Sequence, residues 1–251
     1  MFSRVIIFSF LLFCFGCKLS GNTLNNFSVG EQHKPIILEL IKKLQLDEIL
    51  SASQLIDESN FNIDMVDDNG RTLLIAAIVS EDYSMAEKLL KVGADPNYVP
   101  SGKYRSAMGW AAQYKNTKYL ELLLNYNGNP NLFNKNDRTA AYPILNAISA
   151  NRLDNLKLLI RFGADLDLLD ERGLTPLMYG AAASSWEMVY VMLEAGADIS
   201  IKNEWNESLS TYIAMPDLGT KGEALGWKNK VAKFVESSKA SSVVQKNKSQ
   251  P

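Results

Sequence analysis

The chain has 251 residues, of which 47% are hydrophobic and 22% charged, a balance found in folded proteins and not in disordered or collagenous ones. A net charge of −2 lacks the basic surplus of a dedicated nucleic-acid binder. Two cysteines and one histidine leave no material for a zinc knuckle, a Cys/His dyad or a Ser-His-Asp triad in the main body.

The chain opens with Arg4 ahead of an apolar run from Val5 to Phe15 broken only by Ser9. Eleven residues are too short for a helix that crosses a bilayer, which needs about 20, and suit the apolar region of a secretory leader. Gly16 then stands directly before Cys17. This resembles the lipobox of bacterial lipoproteins, whose cysteine is acylated and becomes the mature N-terminus. The resemblance implies a signal peptide over 1–16, a lipid on Cys17, and a place on the periplasmic side of the membrane. Lys18, in place of an aspartate there, favours the outer membrane by that family's sorting rule. Ordinary secretory cleavage nearby is the alternative. Residues 17–34 read as the lipidated N-terminus and a polar tether with no apolar period.

Two apolar-periodic stretches follow between Pro35 and Ser59 and read as a degenerate first helix pair. Four segments then align without gaps, beginning at Thr72, Ser106, Tyr142 and Thr175, at spacings of 34, 36 and 33 residues. Each opens with a helix-capping residue or its substitute, and proline takes the first helical position at Pro143 and Pro176. Ala77, Ala111, Ala147 and Ala181 let neighbouring first helices approach closely. Each second helix ends at a residue that tolerates positive φ: Gly93, Asn127, Gly163 or Gly196. A fifth segment begins near Ser208 and is broken by Pro216, and Ala224 to Val235 has the spacing of a closing helix.

These segments resemble the ankyrin repeat, which is about 33 residues long with a T-P-L-H-x-A opening. The resemblance implies an all-α solenoid of about five to six helix-pair units, with β-turn fingers and helical caps. The units fall near 35–61, 62–94, 95–128, 129–164, 165–197 and 198–237, the last a cap, followed by a disordered tail at 238–251. Polar caps would leave the free protein a monomer. The histidine of the opening motif is replaced by Ile75, Gly109, Leu145 and Met178, which removes a hydrogen-bond relay between units.

Constant helical modules confine variation to the fingers. The fingers before Ser106 and Tyr142 are longer than the others by one and three residues, and both lose the Asp-x-x-Gly turn kept at Asp67 and Asp170. Longer loops on one face mark a binding face or arise by neutral drift. The fingers hold Tyr98, Lys103, Tyr104, Arg105, Phe133, Lys135, Arg138 and Trp205. Aromatics and arginine are the side chains enriched at interface hot spots. The position expected to face the groove is Ala76, Trp110, Asn146, Tyr179 and Tyr212 in successive units, with Tyr114 one turn beyond Trp110. Asp95, Asp165 and Asp198 read as turn formers.

The export leader, the compact array, the aromatic groove and the closing Gly226–Val231 segment are together similar to ankyrin-repeat immunity lipoproteins of bacterial type VI secretion effectors. That resemblance implies a non-catalytic protein, needing no cofactor or metal, that binds and neutralises a toxic effector such as a phospholipase. The alternative is a periplasmic ankyrin scaffold for an endogenous envelope or stress-defence partner. The sequence contains no GxSxG, HExxH, P-loop or dinucleotide fingerprint.

Overall fold

The computed structural model describes residues 27–101, 104–135, 142–216 and 221–248. The expected leader, Cys17, Lys103 and Arg138 lie outside the described residues. Among the described residues the fold is all-α, with twelve helices arranged as six consecutive pairs. They are α1 (Lys34–Gln45) and α2 (Ile49–Ser59), α3 (Leu73–Val79) and α4 (Tyr83–Lys91), and α5 (Ala107–Gln113) and α6 (Lys118–Asn125). Then come α7 (Pro143–Ser149) and α8 (Leu153–Arg161), α9 (Pro176–Ala182) and α10 (Trp186–Glu194), and α11 (Leu209–Ala214) and α12 (Glu223–Lys248).

The helix starts are set by side-chain caps. Thr72, Ser106 and Thr175 accept the backbone N–H of Ile75, Gly109 and Met178 at 3.2, 3.2 and 3.3 Å. At α7 the cap is missing, and Pro143 in the first turn supplies the fixed φ instead. The second helices end where Gly93 adopts φ +101° and Asn127 φ +64°.

Seven- to nine-residue helices cannot bury their apolar faces alone, so the pairs stack. The first helices α3, α5, α7, α9 and α11 form one continuous layer, packed closely through Ala77, Ala111 and Ala147, none of which is exposed. The second helices α2, α4, α6, α8 and α10 form an amphipathic layer that is less tightly stacked, whereas α10 packs closely on the closing helix α12. The repeated close approach in the first layer favours curvature toward that side, the side expected to form the groove.

At the finger bases a ladder of hydrogen bonds ties each unit to the next. The backbone N–H groups of Asp95, Asn129, Asp165 and Asp198 donate to Asp64, Asn97, Asn131 and Asp167 of the preceding finger, at 2.6–3.0 Å. Each of the four also accepts, through its side chain, the N–H two residues on. Their acids are therefore engaged in backbone geometry. A second set of ties satisfies the carbonyls at helix ends. Asn155 Nδ2 donates to the carbonyls of Ala112 and Tyr114 at 2.8 Å, Arg152 Nε to Gln113 at 2.7 Å, and Lys88 Nζ to Leu44 at 2.8 Å.

The ends depart from expectation in three ways. The supposed tether is docked from residue 27: Phe27 and Val29 are buried, and Ser28 exchanges bonds with Asp68 on the first finger. Two apolar residues alternating in an extended segment suffice for this, and a search for helical period passes over them. The tail does not break at 238, since α12 continues to Lys248. No proline or glycine interrupts residues 239–248. Nor is the first cap polar, because Leu38, Leu46 and Leu50 are 55%, 60% and 82% exposed.

Two outcomes follow for stability. Asn155→Ala leaves the buried Ala112 carbonyl and the half-buried Tyr114 carbonyl without their donor, and urea unfolding should show a loss of about 1–3 kcal/mol. An unchanged midpoint would mean that the unit junction holds by apolar packing alone. Tyr119 is buried with its hydroxyl unpartnered, and burial pushes its pKa up to about 12. Its folded form thus keeps the proton that the unfolded chain releases near pH 10, so its share of stability is present below pH 10 and lost toward pH 12. Tyr119→Phe should flatten that alkaline loss and raise neutral-pH stability by about 1 kcal/mol. Thermal melts over this pH range decide it.

Candidate protein-binding groove

The floor of the groove is chemically distinctive. The five helices of the first layer, α3, α5, α7, α9 and α11, contain no charged residue. Trp110, Tyr179 and Tyr212 are half-buried on this layer, whereas Ala76 is fully buried. An uncharged surface with large rings partly open to solvent costs little to desolvate, which suits a protein interface.

Asn146 departs from its expected role. It is 2% exposed and bonded on both ends of its amide, so it cannot itself meet a partner. Its Nδ2 donates to the Tyr142 carbonyl at 3.0 Å, and its Oδ1 accepts from Gln113 Nε2 at 3.1 Å. Gln113 Oε1 in turn accepts from Arg105 Nη1 at 2.8 Å, and the Arg105 guanidinium lies 5.2 Å from the centre of the Trp110 ring. Asn146 therefore belongs to a relay that sets the position of Arg105.

Tyr114 is likewise not aligned with Trp110. Helix α5 stops at Gln113, and Tyr114 is extended with ψ 148°. In the other regular units the turn between helices uses a left-handed residue, Glu81, Asn151 or Ser184. The extended turn sends the Tyr114 ring against Tyr119 at 5.7 Å, and its hydroxyl donates to the Val79 carbonyl at 3.3 Å. Desolvation raises the Tyr114 pKa.

The fingers show mixed duties. Tyr104 lies over the first finger's turn, where Gly70 has φ +68° and an added Cβ would meet the ring at 2.0 Å. Its carbonyl accepts from Asn134 Nδ2 at 2.9 Å, which joins the second and third fingers. Phe133 is exposed and stacks on Tyr142 with ring centres 5.1 Å apart. Tyr98 is half-buried and Lys135 exposed. Trp205 is exposed on the fifth finger, whose turn keeps the first finger's form through Asn203 and Asn206, the latter at φ +61°. Asn206 stands where the first and fourth fingers carry Gly70 and Gly173, because asparagine also tolerates that backbone region.

Gln113 and Leu169 escaped the sequence reading. Leu169 is exposed and precedes Asp170 just as Phe133 precedes Asn134, so aligning the fingers as well as the helices would have found it. A separate concavity of about 200 Å³, lined by Trp186, Glu187, Glu223 and Trp227 among others, lies where α10 and α12 begin and includes no finger residue. Among the described residues no group of three or more His, Cys, Asp or Glu side chains could hold a metal ion.

Comparison with known proteins agrees with this architecture. The family described as "Ankyrin repeats (3 copies)" matches residues 108–203, and "Ankyrin repeat" matches residues 69–99. Protein PhlB of Serratia liquefaciens is 37% identical over 110 residues, covering 44% of this chain and 47% of PhlB. An ankyrin repeat protein of Fowlpox virus (strain NVSL), FPV024, is 30% identical over 105 residues, covering 42% of this chain and 17% of its own. The chain thus spans less than half the length of these curated relatives. The crystal structure of the ankyrin repeat protein EF0377 superposes with a TM-score of 0.59 at 23% identity, covering 78% of this chain and 96% of that one. Four registered units, a stacked first-helix layer and the finger ladder, together with these matches, place the chain in the ankyrin-repeat family.

Proposed function

We propose that the chain is an exported, non-catalytic ankyrin lipoprotein that binds a toxic type VI secretion effector, such as a phospholipase, and neutralises it on the periplasmic side of the outer membrane. The observation that carries the binding role is the uncharged first-helix floor with its half-open Trp110, Tyr179 and Tyr212. Ankyrin arrays serve as protein-interaction scaffolds, and a groove of this kind needs only to cover a partner's working surface. The export role rests on the apolar leader and Cys17. The closing segment Gly226–Val231 is a weaker support, because its residues serve the fold. Trp227 packs against Tyr190 at 5.5 Å, and Lys228 donates to the Met215 carbonyl at 2.9 Å.

The combined change Trp110→Ala and Tyr179→Ala should weaken binding to the partner captured from the products of neighbouring genes by about 2 kcal/mol or more. Helical circular dichroism should be unchanged. Equal affinity in the double variant would remove the groove from the interface. Cys17→Ser should move the protein from the membrane fraction to the soluble one, and persistence with the membrane would refute lipidation.

A further inference from the structure

The two ends of the array are finished differently. At the leading end, the buried face of α1, formed by Ile37, Leu40, Ile41 and Leu44, packs on α2 and α4. Leu38, Lys42 and Leu46 follow one another at spacings of four residues on the side turned away, and Leu50 stands in the first turn of α2 just past the loop. Four leucines are exposed among the described residues, and three of them stand in this helix pair, each more than half exposed. On the closing helix α12, by contrast, no apolar side chain is exposed between residues 223 and 238. A terminal unit ordinarily turns a polar face outward, because nothing stacks on it.

The charges around the leading face suit a lipid surface. Its acids are tied to lysines: Glu39 and Glu48 to Lys43 at 3.9 and 4.0 Å, and Asp47 to Lys88 at 3.3 Å. Lys42, between Leu38 and Leu46, is exposed and makes no ion pair among the described residues. A lysine flanked by leucines lays its stem along apolar chains and extends its ammonium to headgroup phosphates.

The path of the chain brings this end to a bilayer. Phe27 and Val29 are buried and Ser28 is bonded to Asp68, so the fold grips the chain from residue 27. Cys17 lies ten residues earlier, and ten residues span at most about 36 Å. A lipid on Cys17 therefore holds the first units, and not the closing one, beside the membrane.

We infer that the outward face of α1 and α2 rests on the lipid layer that carries the anchor, with Leu38, Leu46 and Leu50 inserted at headgroup depth. This rests on the reading that Cys17 is lipidated. Docking by this end leaves the first-helix floor and the later fingers open to a protein partner.

The test uses the chain from residue 17 onward, whose one cysteine is Cys17, coupled through that thiol to a maleimide lipid in vesicles of phosphatidylethanolamine and phosphatidylglycerol. Hydrogen exchange over residues 35–51 should be slower than in the same chain coupled to a soluble maleimide, with exchange in α9 unchanged. The combined change Leu38→Gln, Leu46→Gln and Leu50→Gln should abolish the slowing. Because all three side chains are exposed, it should leave the melting curve in place. Without coupling, the chain from residue 18 onward should bind these vesicles about tenfold more weakly after the triple change. Lys42→Glu should weaken that binding too, and have no effect on vesicles of phosphatidylcholine alone. Unslowed exchange on the coupled vesicles, or slowing that survives the triple change, would overturn the inference. A dimer in solution that the triple change abolishes would assign these leucines to a second copy of the chain and overturn it as well. Persistence of Cys17→Ser in the membrane fraction of cells would overturn lipidation instead. The coupled vesicles supply an anchor whatever the cell attaches, so the two failures are told apart.

Discussion

A pair of helices two turns long has apolar surface on faces it cannot cover, and every other feature of this molecule answers that constraint. The units must stack, and their stacking must repeat in register. Small residues on the first helices bring backbones close, and bulky ones on the second helices fill the space behind them. The finger-base ladder sets the translation from unit to unit, because each backbone N–H finds an oxygen fixed on the preceding finger. Side chains such as Asn155 and Arg152 close the carbonyl ends that short helices leave open. These groups lie inside the array or along its finger bases, and the concave floor and finger tips are free to vary.

That division explains what was legible in the sequence. Helix starts at Thr72, Ser106 and Thr175, helix ends at Gly93 and Asn127, and the close-packed alanines all state local backbone physics, and they stand where they were expected. The finger lengths were equally readable. Side-chain direction was not. Asn146 shares a repeat position with Trp110 and Tyr179 yet is buried, because its amide can satisfy both Gln113 and the Tyr142 carbonyl. Tyr114 turned away because the loop after α5 is extended where its counterparts are left-handed, a choice made by the loop. Phe27 and Val29 were missed because an extended strap carries no helical period. In the fifth finger, Asn206 performs the role of a glycine without its letter.

Three residues of the second and third units meet at one place. Gly109, Gln113 and Asn146 are neutral residues with no catalytic chemistry, and their joint effect is geometric: Arg105 is held over Trp110. Tyr104 and Asn134 tie the first three fingers to one another beside it. The fold supplies a stiff frame, and the irregular second and third units supply the features that a partner could distinguish.

The most direct measurement is a pull-down of proteins encoded by the neighbouring genes with soluble protein from residue 18 onward, followed by the hydrogen-exchange footprint of any complex and the activity of the captured protein in the same mixture. The account predicts slowed exchange in α5, α9 and the fingers around Tyr104 and Phe133, with the toxin silenced at one-to-one stoichiometry. Protection confined to the second-layer helices α4, α6, α8 and α10, or full toxin activity in a complex that protects the groove, would contradict it.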